Sequence, residues 1–311
     1  MSGQLDQTGK LHHLLTLDGL PRASLVGLLD RAQSFADGNE DRSVLAGKAV
    51  CTLFFEPSTR TRLSFQRAAQ RLGADVLNFD AATSSATKGE TSRDTLKTIE
   101  AMGVHAFVVR HREDGAVAAL AEAADAGTAL INAGDGRSAH PTQGLLDMLT
   151  LRQAKGRDFS RLKVLIVGDV RHSRVARSDL HALRTLGAGE IRVCGPQALL
   201  PDEATLKGCT VIDDLDSALE GVDVVMMLRL QRERMEEGLV ASLDDYRRHY
   251  GLTQTRLRRA HADAVVLHPG PLNRGMEIDD AVADGAQSLI LQQVSNGVVV
   301  RMAVLEALLQ P

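Results

Sequence analysis

No tryptophan occurs among the 311 residues, and there are only two tyrosines and seven phenylalanines. Cores must therefore be built from Leu, Val, Ile and Ala, a composition that suits buried parallel sheets covered by helices. Cysteine is nearly as scarce. Cys51, Cys194 and Cys209 lie far apart and form no C-x-x-C pair, which argues against a disulfide framework or a zinc site and for a reducing compartment. No run approaches the ~20 apolar residues that span a bilayer. The segment Met1–Leu15 has neither the basic start nor the apolar stretch of a signal peptide, so the cytoplasm is the expected location. Charge of one sign is also missing in bulk. A net charge of -4 offers no general attraction to nucleic acid or an anionic membrane, so neither is an expected partner. An anionic ligand would have to be drawn by a local basic pocket.

What is present is a globular composition, 44% hydrophobic and 24% charged, in a chain long enough for about two domains. Short apolar runs alternate with stretches of helical period, the mark of βα units and a parallel sheet. Strands are expected at Ala49–Phe55, Ala74–Phe79, Ala106–Arg110 and Ala129–Asn132, with helices at Thr59–Leu72, Thr91–Met102 and Ala116–Ala126. The second half repeats the scheme, with strands at Lys163–Val167, Glu190–Cys194, Val222–Leu228 and Ala264–Leu267. Its helices are expected at Ser173–Leu186, Ser217–Leu219 and Leu243–Ala260. A helix from Pro141 through Arg152 joins the halves, and its density of Leu and Met predicts burial on more than one side. The reading is an α/β protein of two domains, each a mostly parallel sheet flanked by helices, with a cleft between them. The domains are expected at 1–150 and 151–311, with the last helix, about 289–309, packing back on the first domain.

Several local patterns carry chemistry. In Phe55-Glu56-Pro57-Ser58-Thr59-Arg60-Thr61-Arg62 an apolar strand ends, hydroxyls follow and an amphipathic helix begins. Free N–H groups at a helix start, its dipole and a guanidinium fork make an anion cradle. The plainer reading is that Ser58 or Thr59 merely caps the helix. The run Asp80–Glu90 (DAATSSATKGE) is small, polar and longer than an ordinary βα connection of ~2 to 6 residues, as functional loops often are. Arg110 ends an apolar strand, where ligands of open α/β sheets bind. His111 beside it reads as structural. Asn132–Gly136 reads as a loop, and His140-Pro141-Thr142-Gln143 opens the joining helix with His140 and Gln143 on one side. Arg174 lies near the helix start after the strand ending at Val167. In Arg229-Leu230-Gln231-Arg232-Glu233-Arg234, an extended chain puts Arg229, Gln231 and Glu233 on one face, although by composition alone this is a charged surface loop. The Pro- and Gly-rich stretch His268-Pro269-Gly270-Pro271 predicts irregular backbone with carbonyls available to a ligand. One glycine follows Val167 where G-x-G-x-x-G needs three, and no G-x-x-x-x-G-K-[ST] occurs. No nucleotide cofactor is therefore expected, and no metal.

Ser58-Thr59-Arg60-Thr61-Arg62 resembles the carbamoyl-phosphate signature of the aspartate/ornithine carbamoyltransferase family, and the other family elements follow in order over nearly the whole chain. The resemblance implies transfer of the carbamoyl group from carbamoyl phosphate to an amino acid, without cofactor. It implies that Ser58, Thr59, Arg60 and Thr61 bind the phosphate, and that Arg110 holds phosphate and carbonyl oxygen together. His140 would donate to the carbamoyl oxygen and Gln143 would accept from its amide. The carbonyls of Pro269 and Gly270 would accept from the carbamoyl NH2 and the attacking amine. Thr61, Arg110 and His140, with Arg60 on the phosphate, form the implied catalytic set.

Two further implications concern the acceptor and the assembly. Arg229 and Gln231 resemble the segment that holds the side-chain carboxylate of aspartate, with Arg174 on the α-carboxylate. Ornithine is disfavoured, because arginines stand where an acidic segment is expected and no cysteine lies near His268-Pro269-Gly270-Pro271. The reaction would then be an early step of pyrimidine synthesis. Ser84 and Lys88 resemble a mobile loop that completes the site of a neighbouring subunit, Lys88 also meeting aspartate, which implies a homotrimer with shared active sites. Whether such trimers stand alone or join regulatory or dihydroorotase-like chains is left open. Glu56 and Arg234, beside the two binding motifs, are an expected pair on domain closure. The rival reading from another class is a catalytically silent binding protein on the same fold.

Overall fold

Apolar runs too short for helices become the strands of two parallel sheets in the computed structural model, which describes residues 3–80, 89–230 and 242–310. In the first sheet, β1 (Ala49–Phe54), β2 (Asp75–Asp80), β3 (Ala106–His111) and β4 (Ala129–Asp135) lie in the order β2-β1-β3-β4, every pair parallel. Cys51, Leu53, Phe107, Val109 and Leu130 pack with Leu96 and Ile99 of α3 (Ser92–Glu100) and with Val117 and Leu120 of α4 (Ala116–Ala123). Helix α2 (Thr59–Arg71) lies against β1 and β2, burying Phe65, Ala68 and Ala69. The sheet is widened by the N-terminal segment: the Leu14 N–H donates to the Leu130 carbonyl, and the Asn132 N–H to that of Leu14.

The second sheet holds β5 (Lys163–Val167), β6 (Glu190–Cys194), β7 (Thr210–Val211), β8 (Val224–Met227) and β9 (Val265–Leu267) in the order β7-β6-β5-β8-β9, again all parallel. Its core joins Leu165, Val167, Val225, Met227 and Val266 to helical residues such as Leu215, Leu257 and Val282. The chain divides into two compact units. One contains Met1–Leu149 and Ser295–Pro311, the other Thr150–Val294. The chain passes from one to the other inside α5 (Pro141–Lys155) and returns inside the C-terminal helix Ile290–Leu309, which ends in the first unit. As expected, α5 is buried all round, from Pro141 through Leu151.

Two local expectations need correction, and one helix stands where none was expected. Asn132–Gly136 is not a loop: β4 runs on to Asp135, with a shift of register against β3 between Val109 and His111. Asn132 holds this end, its amide nitrogen donating to Asp135 and its amide oxygen accepting from the Gly134 N–H. The stretch Leu243–Ala260 is not one helix but two, Leu243–Tyr250 and Gln254–Leu257. Gly251 breaks it, lying so close to other backbone that a Cβ there would stand 2.6 Å from the Arg247 carbonyl oxygen and 2.9 Å from that of Met276. A first helix, α1 (Arg22–Ala36), was not anticipated. It buries Leu25, Leu28, Leu29, Ala32 and Phe35, a helical spacing that was readable in the sequence.

Candidate active site

In each sheet the chain moves outward on one side of its first strand and then returns to build the other side. The strand order therefore reverses between β1 and β3 in one unit, and between β5 and β8 in the other. Ligands of open α/β sheets bind beyond the carboxyl ends of strands at such switch points. Ser58–Thr61 and Arg110 fall at the first of these places, and Arg174 and Arg229 at the second.

At the first switch point β1 ends beside β3, with Phe54 opposite Arg110. After β1 the chain turns through Glu56 and Pro57 into α2. Ser58 occupies the cap position with extended backbone, yet its side chain makes no capping hydrogen bond. The plainer reading of this serine as a helix cap therefore fails, and its hydroxyl is not engaged with the helix start. Thr59 and Arg60 are exposed, whereas Thr61 is buried. Arg110, mostly buried, is held at both ends of its fork: Nη2 donates to Glu56 Oε1 at 2.9 Å, and Nη1 to the Ala133 carbonyl at 3.1 Å. Glu56 thus bonds Arg110; Arg234, its expected partner on domain closure, lies outside the described residues. His111 is buried edge-on to Phe55 and accepts the Glu113 N–H on Nδ1, with burial lowering its pKa. That is a structural role. Asp135 is buried, which raises its pKa, and accepts from the Gly115 and Ala139 backbone. It thereby ties down the turn that leads to His140.

His140 and Gln143 are both buried at the start of α5, and the His140 carbonyl accepts from the Gln143 and Gly144 N–H groups. The Gln143 amide nitrogen meets both oxygens of buried Asp147, at 3.0 and 3.2 Å. Also buried in this unit is Arg301, whose guanidinium stands 4.9 Å from the centre of the Phe65 ring of α2 and donates to the Gly297 carbonyl at 2.8 Å. Burial lowers the Arg301 pKa to about 9, opposed by attraction to Asp147. Neither Asp147 nor Arg301 was singled out in the sequence. The four-residue spacing of Gln143 and Asp147 was a readable signal, but nothing local pointed to Arg301.

At the second switch point β5 leads into Gly168, and its neighbour β8 runs into Leu228 and exposed Arg229. Arg174 is the first residue of α6 (Arg174–Leu186), whose start is capped by Ser173, and the preceding turn is held by His172 Nδ1 against Asp169 at 2.8 Å, both buried. After β9 the backbone is irregular, as expected, and Gly270 has φ +63°, a conformation that favours glycine. His268 Nδ1 accepts the Gly270 N–H at 2.8 Å. Its Nε2 therefore carries the proton and donates to Glu277 Oε1 at 3.1 Å, with both side chains fully buried. The same Glu277 oxygen accepts the Asn273 N–H, while the Asn273 amide donates to the Leu230 carbonyl. One network thus braces Pro269–Gly270 and the segment next to Arg229. Ser84, Lys88 and Gln231 lie outside the described residues.

Comparison with known proteins matches two family descriptions. Residues 12–153 match the aspartate/ornithine carbamoyltransferase carbamoyl-P binding domain, and residues 160–308 the Asp/Orn binding domain. The chain belongs to the aspartate/ornithine carbamoyltransferase family. Within the family it is 74% identical to the aspartate carbamoyltransferase catalytic subunit of Stenotrophomonas maltophilia (strain R551-3), covering 98% of each chain. It is 75% identical to that of Xanthomonas campestris pv. campestris (strain B100), again over 98% of each. Among solved family structures, the aspartate transcarbamoylase of Trypanosoma cruzi with carbamoyl aspartate and phosphate superimposes with a TM-score of 0.86 at 28% identity, covering 99% of each chain. The ornithine carbamoyltransferase of Thermus thermophilus gives 0.84 at 26% identity, covering 96% of this chain and 99% of its own. Shape alone therefore does not separate the two activities of the family.

Proposed function

We propose that this chain is a catalytic subunit that transfers the carbamoyl group of carbamoyl phosphate to the amino group of L-aspartate, giving N-carbamoyl-L-aspartate and phosphate, an early step in pyrimidine synthesis. The observation that carries it is identity of 74 to 75% over nearly full length with aspartate carbamoyltransferase catalytic subunits. Two arginines, Arg174 and Arg229, at the second switch point support a dianionic acceptor.

In this reading the first unit takes carbamoyl phosphate. Ser58, Thr59, Arg60 and Thr61 surround the phosphate at the start of α2, where helix N–H groups and the dipole favour an anion. Thr61, Arg110 and His140 donate to the carbamoyl oxygen, and Gln143 accepts from the carbamoyl NH2. The carbonyls of Pro269 and Gly270 accept from that NH2 and from the incoming amine. Arg174 binds the α-carboxylate of aspartate, Arg229 and Gln231 its side-chain carboxylate. The amine attacks the carbamoyl carbon to form a C–N bond, and negative charge gathers on the carbamoyl oxygen. Donors aimed at that oxygen in advance lower the barrier, often as the largest single contribution. The bond from carbon to the phosphate oxygen then breaks, and the departing phosphate takes the amine proton. No cofactor or metal takes part.

Ser84 and Lys88 reach the site of a neighbouring subunit in this reading, with Lys88 meeting phosphate and aspartate, so the working form is a homotrimer with shared sites, alone or joined to regulatory or dihydroorotase-like chains. The proposed location is the cytoplasm, consistent with three unpaired cysteines. Among the described residues no helix is long and apolar enough to cross a membrane. The test is carbamoyl transfer by purified protein offered aspartate and ornithine in parallel. Turnover with aspartate alone is expected. Turnover with ornithine would overturn the roles given to Arg229 and Gln231.

A further inference from the structure

Gln143 precedes Asp147 by one helical turn of α5, so the two side chains meet on one face. The amide nitrogen lies within hydrogen-bond distance of both carboxylate oxygens. A carboxylate accepts and does not donate, which dictates the orientation of the amide: nitrogen toward Asp147, oxygen away from it. That oxygen is not hydrogen-bonded among the described residues. Arg301 is buried in the same unit. It is 3% exposed, stands over the Phe65 ring of α2, and is attracted to Asp147. Room for it is made at Gly297, where a Cβ would fall 2.5 Å from Arg301 Nη1 and 3.4 Å from Leu146 Cδ2. Gln143 is thus backed by the buried carboxylate of Asp147, and a buried amide held in one orientation discriminates between a ligand N–H and a ligand methyl.

We propose that Asp147, supported by Arg301, is the positioning residue that makes the site select a carbamoyl over an acetyl donor. By holding the Gln143 amide oxygen outward, it presents an acceptor to the group beside the transferred carbonyl. Carbamoyl phosphate offers an NH2 there. Acetyl phosphate, nearly the same in shape and identical in its phosphate, offers a methyl that leaves the acceptor unsatisfied. The proposal rests on the role given to Gln143 in the proposed function. It extends that role to two residues that touch no substrate.

The test is the dissociation constant of carbamoyl phosphate and of acetyl phosphate, each measured by calorimetry without acceptor, for the wild-type protein and for Asp147→Asn. An asparagine amide can donate to Gln143, which frees the glutamine to turn over and present its nitrogen. Loss of one matched hydrogen bond is expected to cut the preference for carbamoyl phosphate about tenfold, with acetyl phosphate binding changed by less than about twofold. Equal weakening of both ligands, or an unchanged preference, would overturn the inference. Wild-type protein that binds both ligands equally would overturn it while leaving the carbamoyl-transfer reading intact. Wild-type protein that binds neither would remove that reading and the inference with it. If Asp147→Asn does not fold, the double variant Asp147→Leu, Arg301→Met removes both buried charges together, a replacement that cores often tolerate. It too is expected to lose the preference, and keeping it would count against the proposal.

Discussion

Arg110 illustrates how a single residue is prepared for its task. Glu56 takes one end of its fork and the Ala133 carbonyl the other, so the planar group is oriented before any substrate arrives. A lysine keeps the charge but cannot satisfy two partners in fixed directions while also serving a ligand. Arg110→Lys is therefore expected to lower kcat/KM for carbamoyl transfer by roughly a hundredfold or more. Steady-state kinetics would check this, and near-normal turnover would show that Arg110 contributes charge alone.

Among the described residues three serines occupy helix N-cap positions, and they separate the element's own needs from those of the site. Ser173 and Ser242 cap their helices, accepting from the Ala176 and Asp245 N–H groups. Ser58 makes no such bond at the start of α2. Ser242→Ala is expected to lower unfolding free energy by about 1 kcal/mol, the usual cost of a lost cap. Ser58→Ala is expected to cost no more than a few tenths of that value, yet to raise the KM for carbamoyl phosphate several-fold, because a hydroxyl lost from an anion site costs about one hydrogen bond. Chemical denaturation beside kinetics reads both effects. A destabilised but kinetically normal Ser58→Ala protein would restore the plain capping role.

At the scale of the whole molecule, the first sheet depends on its N-terminal segment. His13 is buried, and its Nδ1 accepts the Leu130 N–H at 3.0 Å. Burial, aided by the neighbouring His12, lowers its pKa from 6.5 to about 4. The unfolded chain takes up a proton near pH 6.5 that the folded chain refuses until about pH 4. Stability from this group is thus complete above pH 6.5, and it is lost as the pH falls towards 4. The loss over that range is of the order of 3 kcal/mol. His13→Asn retains an acceptor and does not titrate, so unfolding free energy measured between pH 7 and pH 4 should fall less steeply in the variant. Parallel curves would show that His13 does not control the acid limb.

What the sequence by itself determined was whatever local periodicity and chain order encode. Alternating apolar runs and helical periods set out the βα units, and strand ends placed Arg110 and Arg229 where ligands of such sheets bind. The Ser58–Arg62 run marked an anion site because a helix start exposes N–H groups wherever it occurs. Tertiary structure decided the partners of the polar groups. Glu56 holds Arg110, a partner that local sequence did not indicate. His268 was known only as part of a loop, and it is the buried donor to Glu277 that braces that loop. Gly251 divides an apparently continuous helix because other backbone passes too close for a side chain. Arg301 is one charge in an apolar helix, and it stands over the ring of Phe65, remote in sequence. A buried charge or amide takes its meaning from the groups that replace water around it, and only folding brings those groups together.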